Sequence, residues 1–453
     1  MQMALQLSVP DSREKMLFDD PTRTRLLGSI EANRLVLLCG AGLSIPQPSR
    51  LMSAVQVSHE CYDKYQPISA LPPAMRDDID QLAGHFYSTG EFESVFIGTL
   101  VPWNDLAGES NPGHAAVADL LISGAVVAAL SANFDLLIEQ WAYRKRVAMR
   151  GALDGQEAQT FGANESPLVK FHGCLHIDRK KTLWTSGQLV DPAITQRIST
   201  CSDWMKLVFP GKDLVVVGFW TDWGYLNSVL ASALCAGGFN SITVVDPASG
   251  AALQVKAPTL WTTLTSGTTQ FLHIQASGSD ALVELQKAFS RVWLKKFYAL
   301  AKPLLEAEGK PYSPVDPDLP IEDIYDLRRD AEGTPYDRAA HTKAPPAHAA
   351  SAAFFHSLLL QAHANRQGAW FEYSGKRVRI VQGAGEGINT VRERYKEPPA
   401  AIQPDVIVCA GALDLSVPGH LISSGAGASV VRPVPGGGIP WLTLEQARAE
   451  FHL

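Results

Sequence analysis

Short apolar runs alternate with helical periods over the first 295 residues, and this alternation limits the possible folds more than any other feature of the chain. Continuous apolar runs bounded by glycine or polar residues are typical of parallel strands that are covered on both faces. Such runs are Arg34–Cys39, Ala125–Ser131, Asp213–Gly218, Ser241–Val245 and Gln270–Ile274. Helices are predicted at Pro21–Ala32 with Asp20 as N-cap, His114–Ser123 and Asp280–Val292. The pattern predicts an α/β protein with a doubly wound, mostly parallel, Rossmann-like sheet.

Two segments interrupt or follow this alternation with a different composition. Residues 46–112 carry few strand signals and several amphipathic patches, so we expect a helical insertion over the sheet edge. Between Glu306 and Ala340 the chain has ten acidic and four basic residues among many prolines. Proline disfavours long helices and central strands, which predicts a solvated connector with one helical turn near Ile321–Arg329.

The C-terminal hundred residues read as a small α+β unit. Trp370–Tyr373 and Arg377–Val381 flank Ser374-Gly375-Lys376, which predicts a hairpin, and Asp405–Cys409 predicts another strand. We therefore expect three parts: a first domain at 1–300, a Pro-rich acidic linker at 301–350, and a C-terminal domain at 351–453 for assembly or partner binding.

Composition excludes several classes of protein. The chain of 453 residues is 46% hydrophobic with a formal net charge of −7, which is ordinary for a globular protein. No basic block predicts direct nucleic-acid binding, and no apolar run is long enough for a membrane span. The N-terminus lacks the pattern of a secretory signal. Six scattered cysteines without a C-x-x-C pair predict reduced thiols in the cytoplasm and no four-cysteine zinc site.

A glycine-containing loop follows the first predicted strand. Gly40-Ala41-Gly42-Leu43-Ser44 would let backbone N–H groups approach a pyrophosphate at a helix N-terminus. Ile45 stands where the third glycine of the dinucleotide-binding fingerprint would be. A tight turn between strand and loop is the alternative interpretation.

Four further elements lie where apolar runs end. Asn133 and Asp135 follow the second strand, where they would contact a ligand or cap the helix Leu136–Arg144. His172 and the adjacent glycine in Lys170-Phe171-His172-Gly173 follow the short run Pro167–Val169, and a lone histidine is more often structural than catalytic. The remaining two are Val217-Gly218-Phe219 and Val245-Asp246-Pro247, whose acid could accept hydrogen bonds from ribose hydroxyls.

These five elements, in this order, resemble the sirtuin superfamily over about residues 20–295. A P-x-H helix entry at Pro112 and His114 adds to the resemblance. The resemblance implies that Asn133, Asp135 and His172 surround the nicotinamide ribose of NAD, with the histidine as general base. It further implies NAD contacts from Gly40, Ala41, Gly42, Ser44, Gly218, Phe219, Val245 and Asp246. Histidine, with an ordinary pKa near 6.5, suits a base role.

Two departures separate the chain from protein deacetylases of this family. Only Cys174 and Cys201 lie where deacetylases carry a zinc ribbon, and the segment Ser44–Arg50 lacks the acid–aromatic pair of their G-I-P-D-F-R type motif. Both are similar to the zinc-free bacterial branch, whose members hydrolyse NAD as effectors of antiviral defence. The expected function is therefore hydrolysis of NAD, as substrate, to nicotinamide and ADP-ribose or a cyclic product, without zinc.

Two alternatives stay open. One is an NAD-dependent protein deacylase or ADP-ribosyltransferase, and the other is a non-catalytic subunit that binds NAD or ADP-ribose and regulates a partner. For the effector we expect a homo-oligomer, an activating sensor partner, or both, because uncontrolled destruction of NAD would kill the host. Cytoplasmic location and the absence of membrane and nucleic-acid contacts complete these expectations.

Overall fold

A six-stranded parallel sheet forms the centre of the N-terminal part. The computed structural model describes residues 16–149, 151–162, 165–235, 238–266, 270–314, 324–333, 343–383, 391, 403–411 and 439–453. The strands are β1 (Leu35–Cys39), β2 (Ala128–Ser131), β3 (Leu168–Val169), β4 (Asp213–Val217), β5 (Ser241–Val245) and β6 (Gln270–Ile274). Their order is β3-β2-β1-β4-β5-β6, which is the doubly wound order of Rossmann-type sheets. The predicted fold class is confirmed.

Helices cover both faces of this sheet. They are α1 (Asp20–Glu31), α4 (Pro112–Ile122), α5 (Leu137–Arg144), α6 (Gly155–Gln159), α7 (Pro192–Val208), α8 (Gly224–Cys235), α9 (Gly250–Lys256), α10 (Pro258–Thr265) and α11 (Gly278–Ala299). Alternate residues of β1 enter opposite cores: Leu35 and Leu37 pack with α1, α4 and α11, whereas Val36 and Leu38 pack with α7, α8 and α10. Burial on both faces explains why the strand is apolar throughout.

The predicted helical insertion is present between β1 and α4. It contains α2 (Ala54–Tyr65), α3 (Ile79–Ser88) and a π-helical segment at Phe92–Leu100. Its core is aromatic, with the rings of Phe86 and Phe96 stacked at 5.8 Å between centroids. The ring of Trp184 meets Phe96 edge-on, so the insertion packs on the part of the chain that follows β3.

Some predicted boundaries differ from the structure. The second strand begins at Ala128 instead of Ala125, because the Val126 N–H donates to the Leu120 carbonyl at 3.0 Å and closes α4 rather than joining the sheet. Helix α11 extends beyond the predicted Val292 to Ala299. Its last turns carry Trp293 and Phe297 into a second core.

That second core belongs to a mixed five-stranded sheet, ordered β11-β10-β9-β8-β7. The strands are β7 (Asn365–Gln367), β8 (Trp370–Tyr373), β9 (Lys376–Gln382), β10 (Val406–Ala410) and β11 (Trp441–Thr443). The predicted hairpin is the antiparallel pair β8–β9. The helices here are α12 (Lys302–Ala307), α13 (Tyr325–Glu332), α14 (Ala350–Gln361) and α15 (Leu444–Phe451). The C-terminal α+β unit thus shares its core with the end of α11.

Helix α13 differs from the expected solvated connector. Arg328 is buried and pairs with Asp119 of α4, while Asp330 accepts two hydrogen bonds of 2.7 Å from Arg379 of β9. The aromatic ring of Tyr325 meets Trp141 of α5 at 5.2 Å. The composition of this segment predicts that its charged side chains are exposed to solvent. In α13 they are instead paired in the interior, where they link the two sheets.

Candidate functional site

The glycine-containing loop packs directly on the end of β4. The Gly40 N–H donates to the Val217 carbonyl at 3.0 Å, and the Gly42 N–H donates to the Gly218 carbonyl at 2.9 Å. A Cβ at Gly40 or Gly42 would come within 2.7 Å of the Gly218–Phe219 backbone. Gly218 itself has φ +62°, which favours glycine. The glycines allow two loops to touch, and the exposed Ala41 lies between the two engaged N–H groups.

Ser44 is the centre of a buried hydrogen-bond network. Its hydroxyl accepts from Asn133 Nδ2 at 3.1 Å and donates to Asp135 Oδ2 at 2.9 Å. The Nε2 atom of His114 lies 3.1 Å from the same oxygen. A hydroxyl has one hydrogen and two lone pairs, so all of its capacity is used inside the chain. Ser44 therefore orients its neighbours and is not left free to bind a ligand.

The start of α4 sets the tautomer of His114. Asn111 caps this helix by accepting from the His114 N–H at 3.1 Å, and the Asn111 N–H donates to His114 Nδ1 at 3.2 Å. Because Nδ1 accepts, the hydrogen of the neutral ring lies on Nε2, which donates to Ser44. Burial lowers the pKa of His114 to about 4, so the ring is neutral at neutral pH.

Asn133 and Asp135 converge on Ser44. Asn133 Nδ2 also donates to the Gly40 carbonyl at 3.2 Å, and since a carbonyl only accepts, the amide orientation is fixed. The Asn133 Oδ1 atom is therefore the side-chain acceptor that can bind a ligand. Asp135 Oδ1 accepts from the Leu137 N–H at 3.1 Å, so the alternative cap interpretation holds in part for Asp135 and not for Asn133.

His172 lies beyond β3 and is held by aromatic side chains. Its Nε2 lies 2.6 Å from the hydroxyl of Tyr225, and its ring meets that of Trp223 at 4.8 Å. Burial, reinforced by the positive charge of Arg197, lowers the pKa of His172 to about 3. The ordinary value near 6.5 therefore does not apply to His172 in this arrangement. The histidine is neutral, but it is a weak base while it stays buried against Tyr225.

The remaining predicted NAD contacts, Phe219, Val245 and Asp246, differ in whether their side chains are accessible to a ligand. Phe219 and Val245 are buried in the two cores that flank the sheet, so their side chains serve packing. Asp246 follows β5, is partly exposed, and accepts from the Ala248 N–H at 2.8 Å. Asp246 thus remains near the carboxyl edge of the sheet with Oδ2 as its other acceptor.

A cavity of about 570 Å³ has Asn111, the cap of α4, among its lining residues. Trp141, Arg144, Lys145 and Lys287 are among the residues that line it. Asn133, Asp135 and His172 are not part of this lining, so the cavity is not the place where the predicted catalytic residues meet.

Sequence reasoning missed the partners that complete the site. Tyr225 and Arg197, which determine the state of His172, follow it by 53 and 25 residues and belong to helices without a recognisable motif. Asn111 could have been found, because Asn followed by Pro and, at the third position, a polar side chain is a helix-start pattern.

Metal ligands and membrane segments were searched within the described ranges. No group of three or more His, Cys, Asp or Glu side chains that could hold a metal ion occurs among those residues. None of the helices described is both long and apolar enough to cross a membrane.

Similarity to known proteins is found among solved structures alone. No family model and no curated protein matches the sequence. Among solved structures, a Sir2 enzyme is 15% identical and covers 60% of this chain and 99% of its own, with a TM-score of 0.34. A Sir2 homologue in complex with NAD is 16% identical and covers 58% of this chain and 92% of its own, with a TM-score of 0.35. At scores this low, no conclusion about function rests on these neighbours.

Proposed function

We propose that the carboxyl edge of β1, β2 and β4 binds NAD, and that the chain hydrolyses the bond between nicotinamide and ribose. The products are nicotinamide and ADP-ribose or its cyclic form. The observation that carries the proposal is the network around Ser44, which fixes the Asn133 amide with only Oδ1 left to accept from a water or a ribose hydroxyl.

The reaction requires little from the protein beyond positioning the reacting groups. Nicotinamide leaves as a neutral molecule from a cationic ring, so the reaction needs an oriented nucleophile and stabilisation of positive charge on the ribose. Asn133 Oδ1 would orient the water, and the Asp135 carboxyl group lies on the same loop, next to Ser44. Such positioning is the main contribution that a rigid, internally bonded loop can make.

His172 takes the base role only after a local exchange of partners. A ribose hydroxyl has to replace the Tyr225 hydroxyl at Nε2. Ligand binding would supply this exchange, after which Nε2 can accept the proton of the ribose hydroxyl.

The biological role in this proposal is that of a regulated antiphage effector. Its NAD cleavage would depend on self-assembly, on a sensor partner, or on both, with the C-terminal unit as the assembly surface. Specific activity measured over a range of protein concentrations, together with mass by light scattering, tests this part. Activity that stays constant while the mass changes would contradict control by self-assembly.

Nicotinamide release from NAD by the purified full chain tests the proposed reaction. We expect release from wild type and its loss in Asn133→Ala. Asn240→Ala is the matched control, because Asn240 also donates its amide to a backbone carbonyl, that of Gly211 at 2.7 Å, but next to the amino end of β5. Release that requires an acyl-lysine peptide would identify a deacylase, and NAD binding without release would identify a regulatory subunit.

A further inference from the structure

Lys170 is a buried cation whose partners all belong to the chain itself. Its side chain is 1% exposed, and Nζ donates to Glu139 Oε1 at 3.0 Å. Nζ also donates to the carbonyl oxygens of Asp135 and, at 3.5 Å, of Phe134. A buried ammonium group is costly unless it is paired and hydrogen-bonded, and here both conditions are met.

The fold makes room for this side chain. A Cβ at Gly151 would come within 2.6 Å of Lys170 Cδ, so the neighbouring segment passes closer than any other residue type would allow. Burial by itself lowers the pKa of an ammonium group, but the charges of Glu139, Cys174 and Asp135 and the hydrogen bond to Glu139 together outweigh it, and the pKa of Lys170 lies above its ordinary value. Lys170 thus remains a cation.

The position of Lys170 joins the two halves of the candidate site. It follows β3 directly and lies two residues before His172, whereas its carbonyl partners belong to the loop that carries Asn133 and Asp135. The Leu175 N–H donates to the Phe134 carbonyl at 2.9 Å and ties the same two segments together from the other side of His172.

We propose that Lys170 is a positioning residue, which holds the Asn133–Asp135 loop against the His172 segment by binding the backbone carbonyls of Phe134 and Asp135. The proposal rests on the proposed NAD cleavage and adds a residue that does not touch the substrate. A carbonyl bound to a fixed cation sets the orientation of its peptide plane, and hence the direction in which the Asp135 and Asn133 side chains point. Displacement of a reacting group by about 1 Å can cost about 10²-fold in rate.

Two variants separate positioning from stability. Lys170→Met keeps the length of the side chain but leaves the buried Glu139 carboxyl without its cation, so we expect a lower melting temperature. Lys170→Met/Glu139→Gln removes both charges together, and neutral replacements of a buried ion pair are often tolerated. The double variant should recover the melting temperature without recovering the bonds to the two carbonyls.

The measurements are the kcat and KM for NAD, and hydrogen exchange of the backbone amides in residues 131–139. For the double variant we expect a kcat lower by about 10²-fold, a KM that changes far less, and faster exchange in that segment. Exchange in β5 should stay as in wild type. A double variant with wild-type kcat, or with wild-type exchange in residues 131–139, would overturn the assignment.

Hydrogen exchange does not depend on catalysis. If wild type released no nicotinamide, the proposed reaction would fail, while exchange in residues 131–139 would still decide whether Lys170 holds the loop. If the single variant did not fold, the double variant would supply the same comparison.

Discussion

The candidate site has two sides, which differ in how far their side chains are already arranged to bind a ligand. The Ser44 side is formed by Ser44, His114, Asn133 and Asp135, and the His172 side by His172, Trp223 and Tyr225. Around Ser44, each hydrogen bond of the hydroxyl is made within the chain, and the orientations of His114 and Asn133 follow from their partners. On the other side, the ring nitrogen that would act as base is occupied by Tyr225. One half of the site is preorganised, and the other half has to exchange a partner before it can act.

The same physical cause has opposite consequences on the two sides. Burial lowers the pKa of His114 and of His172, to about 4 and about 3. For His114 the neutral ring is what the network needs, because a single hydrogen on Nε2 serves Ser44. For His172 the low pKa weakens the base. A low pKa at a buried histidine therefore suits the positioning role of His114 as it stands, whereas His172 has to exchange its partner before it can act as a base.

The largest expected effect is that of His172→Ala on NAD cleavage. General acid–base groups contribute about 10²–10⁴-fold, which corresponds to about 3–5 kcal/mol of activation free energy. Activity is measured as nicotinamide release, with circular dichroism to check the fold. A variant that cleaves NAD like wild type would show that His172 is a packing residue of the aromatic cluster with Trp223 and Tyr225.

A somewhat smaller loss is expected for Ser44→Ala, which removes the centre of the preorganised half. Asn133 would keep its bond to the Gly40 carbonyl but lose the second one, so its Oδ1 would be held less firmly. We expect kcat to fall by about 10²-fold with little change in KM. Ser228→Ala, at an exposed hydroxyl that bonds the Gly224 carbonyl, is the control. If KM rose and kcat did not fall, Ser44 would be a ligand-binding group instead.

The two buried histidines also predict a pH dependence of stability. The unfolded chain binds a proton at each near pH 6.5, whereas folded His114 and His172 bind one only near pH 4 and pH 3. The contribution of the two histidines to stability is therefore complete above about pH 6.5. The free energy of unfolding decreases as the pH falls below this value, by about 2 kcal/mol per histidine at pH 5. Denaturant unfolding at pH 7 and pH 5 measures this loss.

His114→Gln tests the contribution of His114 to this pH dependence, because glutamine suits the same position of a helix-capping box. The variant should lose less stability than wild type between pH 7 and pH 5. His356, buried in the C-terminal core, adds a similar dependence to every variant. Equal losses in wild type and His114→Gln would contradict the neutral, buried state of His114.

The smallest effect is expected for Tyr225→Phe. The substitution removes the hydroxyl that a ribose has to displace from His172, and one hydrogen bond contributes about 1 kcal/mol. The KM for NAD should therefore fall a few-fold, with kcat changed less. A higher KM would mean that Tyr225 binds the ligand itself, and that the His172 side is as well prepared as the Ser44 side.

The sequence predicts the sheet well, for physical reasons. Ser241–Val245 and Gln270–Ile274 are found to the residue. The first is buried throughout, as is typical of parallel strands covered on both faces, and the second is a partly buried edge strand. Asn133 and Ser44 follow neighbouring strands, so their meeting follows from the topology.

The features that could not be predicted depend on contacts between distant segments. Arg328 and Asp330 have the composition of a solvated linker, and only the folded chain brings them to Asp119 and Arg379. The pKa of His172 depends on burial and on the charge of Arg197, neither of which has a sequence signal. Pattern analysis finds residues at strand ends, but not the side chains that set their protonation.

A crystal structure of the full chain with NAD or ADP-ribose bound would test the account most directly. We predict that the ribose next to nicotinamide lies at Asn133 Oδ1, that the bonds of Ser44 to Asn133, Asp135 and His114 are unchanged, and that His172 Nε2 has left Tyr225 for a ribose hydroxyl. A ligand bound away from Asn133, or a His172–Tyr225 bond that persists with the ribose in place, would contradict it.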